Sequence, residues 1–424
     1  MSRIGFDEKV GRRAPGERRT GFFLAKLAVL ALAAVTAGCN MSGRGGPSGG
    51  TSLSAPTIPV ESQPLAGPAT ADANQIGSGS VRVGLIVPLT QGTGPSVVGQ
   101  SLRNAAELAL NEAGSQDITL LVKDDLSTPD GAKAAAAAVL ADGAELIIGP
   151  LYSPNVREVG NLARTAGRPV IAFSTDTSVA AHGVYLLSFL IENYVDRIVD
   201  YAAANGKKSF AALIPDNDYG HVAEAELQQA AARRGIRVQA IEHYTSAAQA
   251  GTAAKAIAAA AGQFDALFIP EQAEAMPTIA QVLTANKLDS QHVQILGTGL
   301  WNDARVLALP ALQGAWFAAP DSSGFTAFAE RYRIRFGSDP TRIATLSYDA
   351  VSLVAALVRT QGAQRFSEAV LTSRAGFNGA DGIFRFFPDG QNERGLAVLA
   401  IDNGTTSVAS PAPHSFSGGG AAGG

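Results

Sequence analysis

Short apolar runs alternate with amphipathic segments along the middle of this 424-residue chain. Residues 81–89 form the first nearly continuous apolar run. In the segment that follows, Leu102, Ala106, Ala109 and Leu110 fall on one face of a helix. Strands that are buried on both faces of a parallel sheet are apolar throughout, and the helices that cover the sheet have one apolar face. The pattern therefore predicts repeated βαβ units.

The alternation runs through one block and begins again near residue 209. Strands are predicted at 81–89, 118–123, 145–148, 169–173, 209–215, 238–244, 266–270, 293–296, 315–318, 383–386 and 396–401. Helices are predicted at 97–113, 129–141, 154–166, 220–233, 252–261 and 277–285, with a mostly helical stretch at 325–372. This order predicts an α/β fold of two doubly wound, Rossmann-like lobes. The late elements complete both lobes, so the chain crosses between the lobes more than once.

Two flanking stretches are predicted to lie outside the lobes. Residues 41–80 and 404–424 are rich in Gly, Ser, Pro, Thr and Ala and have few large apolar side chains. Such segments cannot bury a core, which predicts disorder. We therefore expect a folded body at 81–403. Its first lobe is predicted to contain 81–194 and 321–378, and its second lobe 195–320 and 379–403.

The first 38 residues have the pattern of an export signal. A basic leader is followed by an apolar run at 27–37, and the small residues Ala37 and Gly38 precede Cys39, the single cysteine of the chain. The apolar run is too short to span a bilayer, which needs roughly 20 residues.

The end of this signal, Thr36-Ala37-Gly38-Cys39, resembles the lipobox of bacterial lipoproteins, with Thr36 where leucine is usual. The resemblance implies that Cys39 is lipidated and becomes the new N-terminus, so that the protein touches the membrane only through this anchor. Asn40 in place of aspartate implies the outer membrane rather than the inner one. An ordinary signal peptide with an incidental cysteine is the alternative.

Composition and motifs exclude several other functions. A net charge of −4 with 17% charged residues gives no basic field for nucleic acid. The chain has no Gly-x-Ser-x-Gly elbow, no Gly-Lys-Ser/Thr phosphate loop and no His-Glu-x-x-His pair. Its five histidines are scattered without metal-ligand spacing. We therefore expect no enzyme, no cofactor, no bound metal and no nucleic-acid partner.

Four segments in order resemble the type I periplasmic binding proteins, especially the leucine/isoleucine/valine-binding group. They are VRVGLIVPLTQGTGPSVVGQSLRNAAELALNE, LLVKDDLSTPDGAKAAAAAVLADGAELIIGPLYSPNV, RPVIAFSTDTS and FAALIPDNDYGHVAEAELQQAAARRGIRV. The resemblance covers residues 81–402 and implies two lobes, joined by three crossovers, that close on a small solute.

Candidate ligand-binding residues come from this resemblance and from the loops at the carboxyl ends of the predicted strands, where open α/β sheets bind ligands. They are Tyr152, Ser153, Ser174, Thr175, Asp176, Tyr219, Glu271 and Gly299. By resemblance, Ser153 binds the ligand carboxylate and Tyr219 contributes an aromatic ring from the second lobe. The alternatives are that Ser153 is an N-cap and that Tyr219 packs on its own lobe.

Two of these positions depart from the amino-acid binders. Asp176 stands where those proteins carry a threonine on the ligand carboxylate. Two unit charges about 4 Å apart interact by about 4 kcal/mol at an effective dielectric of about 20, so an ionised Asp176 repels a carboxylate. Asp176 can instead bind a cation or cap the following turn. Gly299 stands where they carry the glutamate that holds the ligand ammonium, and the aromatic residue expected near Ala275 is missing.

Two functions follow from these observations. IAFSTDTSVAAHGVYLLSF resembles a stretch of the penicillin-binding protein activators, lipoproteins of the same fold that contact peptidoglycan synthases. The altered site, the predicted linker and Asn40 favour this role. The alternative is the substrate-binding protein of an ABC importer, with an ABC permease as partner and an amino acid or another small polar solute as ligand.

The lipobox predicts a measurable modification. In membrane-extracted protein we expect Cys39 to be the N-terminal residue and to carry acyl chains, because several buried chains are needed for a stable anchor. Intact-mass analysis tests this, with Cys39→Ser as the control that loses both the added mass and the membrane association. An unmodified Cys39 contradicts the prediction.

Overall fold

The computed structural model describes residues 74–416. The predicted leader, Cys39 and most of the predicted linker lie outside the described residues. None of the helices between 74 and 416 combines the length and the apolar character that a membrane crossing requires.

The first part of the chain builds a six-stranded sheet in the order β1-β5-β2-β6-β7-β8. Its strands and the small β3–β4 hairpin are β1 (Gln75–Gly77), β2 (Val81–Val87), β3 (Thr90–Gln91), β4 (Gly94–Pro95), β5 (Ile118–Asp124), β6 (Leu146–Ile148), β7 (Val170–Ala172) and β8 (Val184–Leu186). The helices are α1 (Val97–Glu112), α2 (Pro129–Ala141) and α3 (Ser153–Thr165). All neighbours pair in parallel except β1, which is antiparallel to β5.

The second part builds a seven-stranded sheet in the order β10-β9-β11-β12-β13-β17-β18. The elements up to its fifth strand are α4 (Ile191–Ala204), β9 (Ser209–Pro215), α5 (Asp218–Arg234), β10 (Arg237–Tyr244), α6 (Ala247–Ala259), β11 (Ala266–Phe268), α7 (Met276–Ala285), β12 (Gln294–Gly297), α8 (Ala304–Leu307) and β13 (Trp316–Ala319). The remaining elements are α9 (Ser322–Phe336), α10 (Ala344–Thr360), α11 (Glu368–Leu371), β14 (Phe377–Gly379), β15 (Gly382–Phe386), β16 (Asn392–Arg394), β17 (Ala397–Asp402) and β18 (Thr405–Ser410).

Each large sheet is covered on both faces, as the continuous apolar strands predict. In β2, Leu85 packs in one fully buried cluster with residues of α1 and α10, and its neighbour Ile86 packs in another with residues of α2 and α3. In β9, Leu213 and Ile214 divide in the same way between the α6–α7 side and the α4–α5 side. The prediction of two doubly wound α/β lobes is therefore confirmed.

The predicted ends of the folded body are wrong on both sides. β1 lies within the predicted linker, where Ile76 pairs with Leu120 and is nearly buried. One apolar residue in a Gly- and Ser-rich stretch is too short a pattern to predict a strand. β18 lies within the predicted tail and forms a hairpin with β17. Its turn is Asn403-Gly404, with positive φ at both residues. An Asn-Gly pair between two strand segments is the strongest short-range hairpin signal in a sequence.

The predicted lobe boundaries also need correction. Ile191 and Tyr194, assigned from sequence to the first lobe, are buried in the core of the second lobe with the rest of α4. Phe384 and Phe386, assigned to the second lobe, are buried in the first-lobe core. The chain therefore crosses between the lobes at 187–190, 320–321 and 395–396.

A stack of alternating aromatic rings and guanidinium groups lies beside the three crossovers. Its members, in spatial order, are Phe325, Arg342, Phe189, Arg394 and Phe384. The distances from guanidinium carbon to ring centroid are 4.6, 4.8, 4.6 and 5.5 Å along this series. Such contacts are favourable, and more so when desolvated. We call this set the crossover stack.

Hydrogen bonds hold the crossover stack to the first and third crossovers. The carbonyl oxygen of Ser188 accepts from Arg394 Nε and from Asn392 Nδ2, both at 2.9 Å. Arg342 makes two bonds to the buried carboxylate of Asp381, at 2.9 and 2.7 Å. The Nη1 and Nη2 atoms of Arg394 are buried and bond no protein group in the described chain.

Asp349 of α10 is fully buried next to this stack. The backbone N–H of Ala380 donates to its Oδ1 at 2.6 Å. Burial raises the pKa of Asp349 to about 7, against the opposing effect of the Arg394 charge.

This pKa predicts a pH dependence of stability. The folded protein binds the Asp349 proton more tightly than the unfolded chain, whose ordinary value is 3.8. The free energy of unfolding therefore falls as the pH rises between about 4 and 7. Relative to the Asp349→Asn variant, the free energy of unfolding of the wild type should fall by up to about 1.4 kcal/mol per pH unit in this window. Urea unfolding at a series of pH values measures the difference, and parallel curves for the two proteins contradict the assignment.

Candidate functional site

The first-lobe candidates lie where β6 and β7 end. Ser153 is the first residue of α3 and is half-buried, and Tyr152 is the N-cap residue without a side-chain capping bond. The alternative that Ser153 is the N-cap is therefore wrong. Its hydroxyl helps to lower the pKa of Asp176, which follows β7.

Asp176 is held as an anion at this position. Its Oδ1 accepts from the backbone N–H of Ser178 at 3.0 Å and caps the short helical turn Thr177–Val179. The hydroxyl of Ser178 is the main cause that lowers the pKa of Asp176, helped by the Ser153 hydroxyl and the charge of Arg157. The predicted capping role is confirmed.

The other two residues of this loop differ in exposure. Ser174 is buried and its Oγ accepts from the backbone N–H of Asp176 at 3.1 Å. Thr175 is exposed. The first-lobe loop therefore places a charged carboxylate, that of Asp176, next to the hydroxyl groups of Ser153 and Ser174.

In the second lobe, Tyr219 contacts Thr298, the residue that precedes Gly299. Tyr219, the second residue of α5, donates its hydroxyl to Thr298 Oγ1 at 2.8 Å and packs against the second-lobe core. Burial raises its pKa. Tyr219 therefore packs on its own lobe, as the alternative prediction stated.

Tyr194 fills the space beside Gly299. A β-carbon built on Gly299 would lie 2.5 Å from Tyr194 Cε1 and 2.8 Å from its hydroxyl oxygen. Real β-carbons do not approach other atoms this closely, so position 299 accepts only glycine while Tyr194 keeps its place. Burial raises the pKa of Tyr194 to about 12, so its hydroxyl stays protonated at neutral pH. A neutral phenol therefore occupies the place where a carboxylate would hold an ammonium group.

Sequence reasoning missed Glu192, which joins the two groups. Glu192 lies in the first turn of α4, and its Oε1 accepts from the hydroxyl of Thr177 at 3.0 Å, across the lobes. Its Oε2 is buried and has no partner among the described residues. Burial is the main cause of the raised pKa of Tyr219, and the charge of Glu192 is a minor one. Neither β8 nor α4 was predicted, so nothing in the sequence placed this carboxylate beside the loop after β7.

Glu271 lies apart from these residues, after β11. It is 5% exposed, and its carboxylate accepts from the hydroxyl of Tyr244 and from the backbone N–H of Gln272. The structure thus groups Tyr152, Ser153, Ser174 and Asp176 in one place and Tyr219 and Gly299 in a second, with Glu271 in a third. Between residues 74 and 416, no three His, Cys, Asp or Glu side chains are grouped as a metal site.

Two α/β sheets, each with loops at the carboxyl ends of its parallel strands, are joined by three crossovers into two lobes. Residues 80–406 match the family model described as periplasmic binding protein. This match covers more than half of the chain, so the chain belongs to the periplasmic binding protein family. The family is of a substrate-binding, non-catalytic type, which agrees with the lack of catalytic motifs.

Solved structures support the same fold. A Rhodospirillum rubrum protein assigned to branched-chain amino acid ABC transport has a TM-score of 0.68 at 18% identity, over 77% of this chain and 99% of its own. A Desulfitobacterium hafniense ABC transporter substrate-binding protein in complex with Leu has a TM-score of 0.57 at 18% identity, over 77% and 99%.

A solute binding protein of an ABC transporter from Rhodopseudomonas palustris BisB5, in complex with 3,4-dihydroxy benzoic acid, has a TM-score of 0.56 at 22% identity, over 78% and 96%. No curated protein matches the sequence. At these identities the likeness establishes the fold of type I periplasmic binding proteins and leaves the ligand open.

The contact between Gly299 and Tyr194 predicts a specific coupling. Gly299→Ala should lose about 1–3 kcal/mol of stability through overpacking. Tyr194→Ala should lose about 3–5 kcal/mol through the cavity it leaves. In the double variant the added methyl group has room, so Gly299→Ala should cause no further loss. Urea unfolding of the four proteins gives the coupling energy, and additive losses contradict the packing.

Proposed function

We propose that this protein is the substrate-binding component of an ABC importer and binds a small polar solute between its two lobes. The observation that carries the proposal is the hydrogen bond between the lobes from the Thr177 hydroxyl to Glu192 Oε1 at 3.0 Å, which brings a carboxylate of the second lobe to the loop after β7 of the first lobe. The proposed ligand-binding residues are Tyr152, Ser153, Ser174, Thr175, Asp176, Tyr219, Glu271 and Gly299, together with Glu192.

The chemistry of these residues argues against a free amino acid bound as in the leucine-binding group. The pKa of Asp176 is lowered, so its carboxylate is charged and repels a ligand carboxylate there. Position 299 is a glycine, and Tyr194 occupies the space that a side chain there would need. The chain therefore has no carboxylate at this position to bind a ligand ammonium group. We therefore propose a polar solute that carries no carboxylate next to Asp176.

The role of a penicillin-binding protein activator, with a peptidoglycan synthase as partner, was favoured by the sequence. The solved relatives bear names from ABC transport, and two of them hold a small solute. These names support import and an ABC permease as partner. The lipobox at Cys39 supports a lipid anchor in the cell envelope, with Asn40 favouring the outer membrane.

A thermal-shift screen tests the proposal on purified protein that has been unfolded and refolded to remove any carried ligand. The panel contains amino acids, polyamines, small peptides, aromatic acids and muropeptide fragments. A ligand at 100 times its dissociation constant stabilises the native state by about 2.7 kcal/mol. In domains of about 150–250 residues this raises the midpoint by roughly 5–10 °C.

The matched variants are Asp176→Asn and Asp142→Asn. Asparagine can still cap the turn but removes the charge, so we expect Asp176→Asn to change the affinity of the solute about tenfold or more. Asp142 is the C-cap residue of α2, at the opposite end of this helix from the loop that follows β5, and its variant should bind as the wild type does. A flat response to the whole panel contradicts solute import, and binding to a purified peptidoglycan synthase would then support the activator role.

A further inference from the structure

A cavity of about 340 Å³ opens at the carboxyl ends of β9, β10 and β11 in the second lobe. Its lining residues come from the loops after these strands and from the first turns of α6 and α7. They are Pro215, Asp216, Asn217, Tyr244, Thr245, Ser246, Ala247, Glu271, Ala275, Thr278 and Ile279. The volume is at the lower end of the range for ligand pockets, about 300–1,000 Å³, which suits one functional group of a solute.

Glu271 forms the buried wall of this cavity. The Tyr244 hydroxyl donates to its Oε2 at 2.5 Å, and the backbone N–H of Gln272 donates to its Oε1 at 2.6 Å. Both oxygens act as acceptors, which fits the ionised form, because a protonated carboxyl donates from one oxygen. Each oxygen can accept a further bond.

No cationic side chain balances this charge inside the cavity. The lining contains two carboxylates, Glu271 and Asp216, and neither lysine nor arginine. Asp216 is paired with His221 at 2.8 Å on the exposed side. The Thr245 hydroxyl donates to Gln249 rather than to Glu271. A buried carboxylate is costly when no positive charge lies near it. Binding of a cationic group beside Glu271 would supply that charge and form strong hydrogen bonds.

The remaining walls suit the carbon atoms of such a group. Ala275 and Ile279 give an apolar side, and the ring of Tyr244 borders the cavity next to Glu271. A cation near an aromatic face gains further attraction. We propose that this acidic side pocket binds an ammonium or guanidinium group of the transported solute, with Glu271 as the residue that determines specificity. The inference rests on the proposed solute-binding function and names the solute class as cationic.

The test uses pairs of probes that differ mainly in one charge: agmatine and putrescine against their mono-acetylated forms, and L-arginine against L-citrulline. Isothermal titration calorimetry on the purified mature protein measures each affinity. We expect the more cationic member of at least one pair to bind tenfold or more tightly than its partner.

Glu271→Gln should remove this preference and leave the affinity for the neutral or acetylated member within about twofold. Glu274→Gln is the matched control, because Glu274 pairs with Arg305 and does not line the cavity, so it should keep the preference. Ala275→Phe fills the cavity without altering Glu271 and should weaken the cationic member. This second variant tests the pocket even if Glu271→Gln folds poorly.

Equal binding of both members in every pair, or a preference that survives both Glu271→Gln and Ala275→Phe, overturns the acidic side pocket. If a neutral or anionic solute from the wider screen still binds, the proposed solute-binding function stands without it. If no solute binds at all, both proposals fall.

Discussion

The two lobes are joined at the buried guanidinium group of Arg394, which stacks on aromatic rings and bonds a backbone carbonyl beside the crossovers. It lies between the rings of Phe189 and Phe384 and bonds the carbonyl oxygen of Ser188, so it connects the first and third crossovers. Removing a cation from water is costly unless it is paired or stacked. The aromatic rings and the nearby carboxylate of Asp381 supply this compensation, which requires the crossovers to stay close together.

The position of the candidate site follows from this constraint. Phe189 is followed within a few residues by Glu192 and Tyr194 of α4, so the packing at the crossovers also determines where α4 begins. From that start, Glu192 reaches Thr177 of the first lobe and Tyr194 reaches Gly299 of the second. The same helix start therefore links the lobes and removes the ammonium-binding position that the leucine-binding group has at 299.

Family membership and ligand preference thus depend on different parts of the molecule. The covered parallel sheets and the crossovers place the chain in the periplasmic binding protein family. In the proposed function, the ligand preference depends on a few side chains, of which Asp176, Glu192 and Glu271 are acidic. A site with this charge differs from one that clamps an amino-acid carboxylate, although the backbone that carries it has the same fold.

The sequence by itself determined most of the strands, the helices that cover them and the loops at the strand ends, because local apolar periodicity encodes these features, but it did not predict β1, β8, α4 or β18. Segments such as β9 and α2 have the predicted bounds, and Asp176 caps its turn through its nearest neighbours. Only the tertiary structure decided that Tyr194 fills the space at Gly299, that Phe189 stacks on Arg394 and that Glu271 faces a cavity. These contacts join residues far apart in the chain, and local periodicity carries no information about which distant side chains meet.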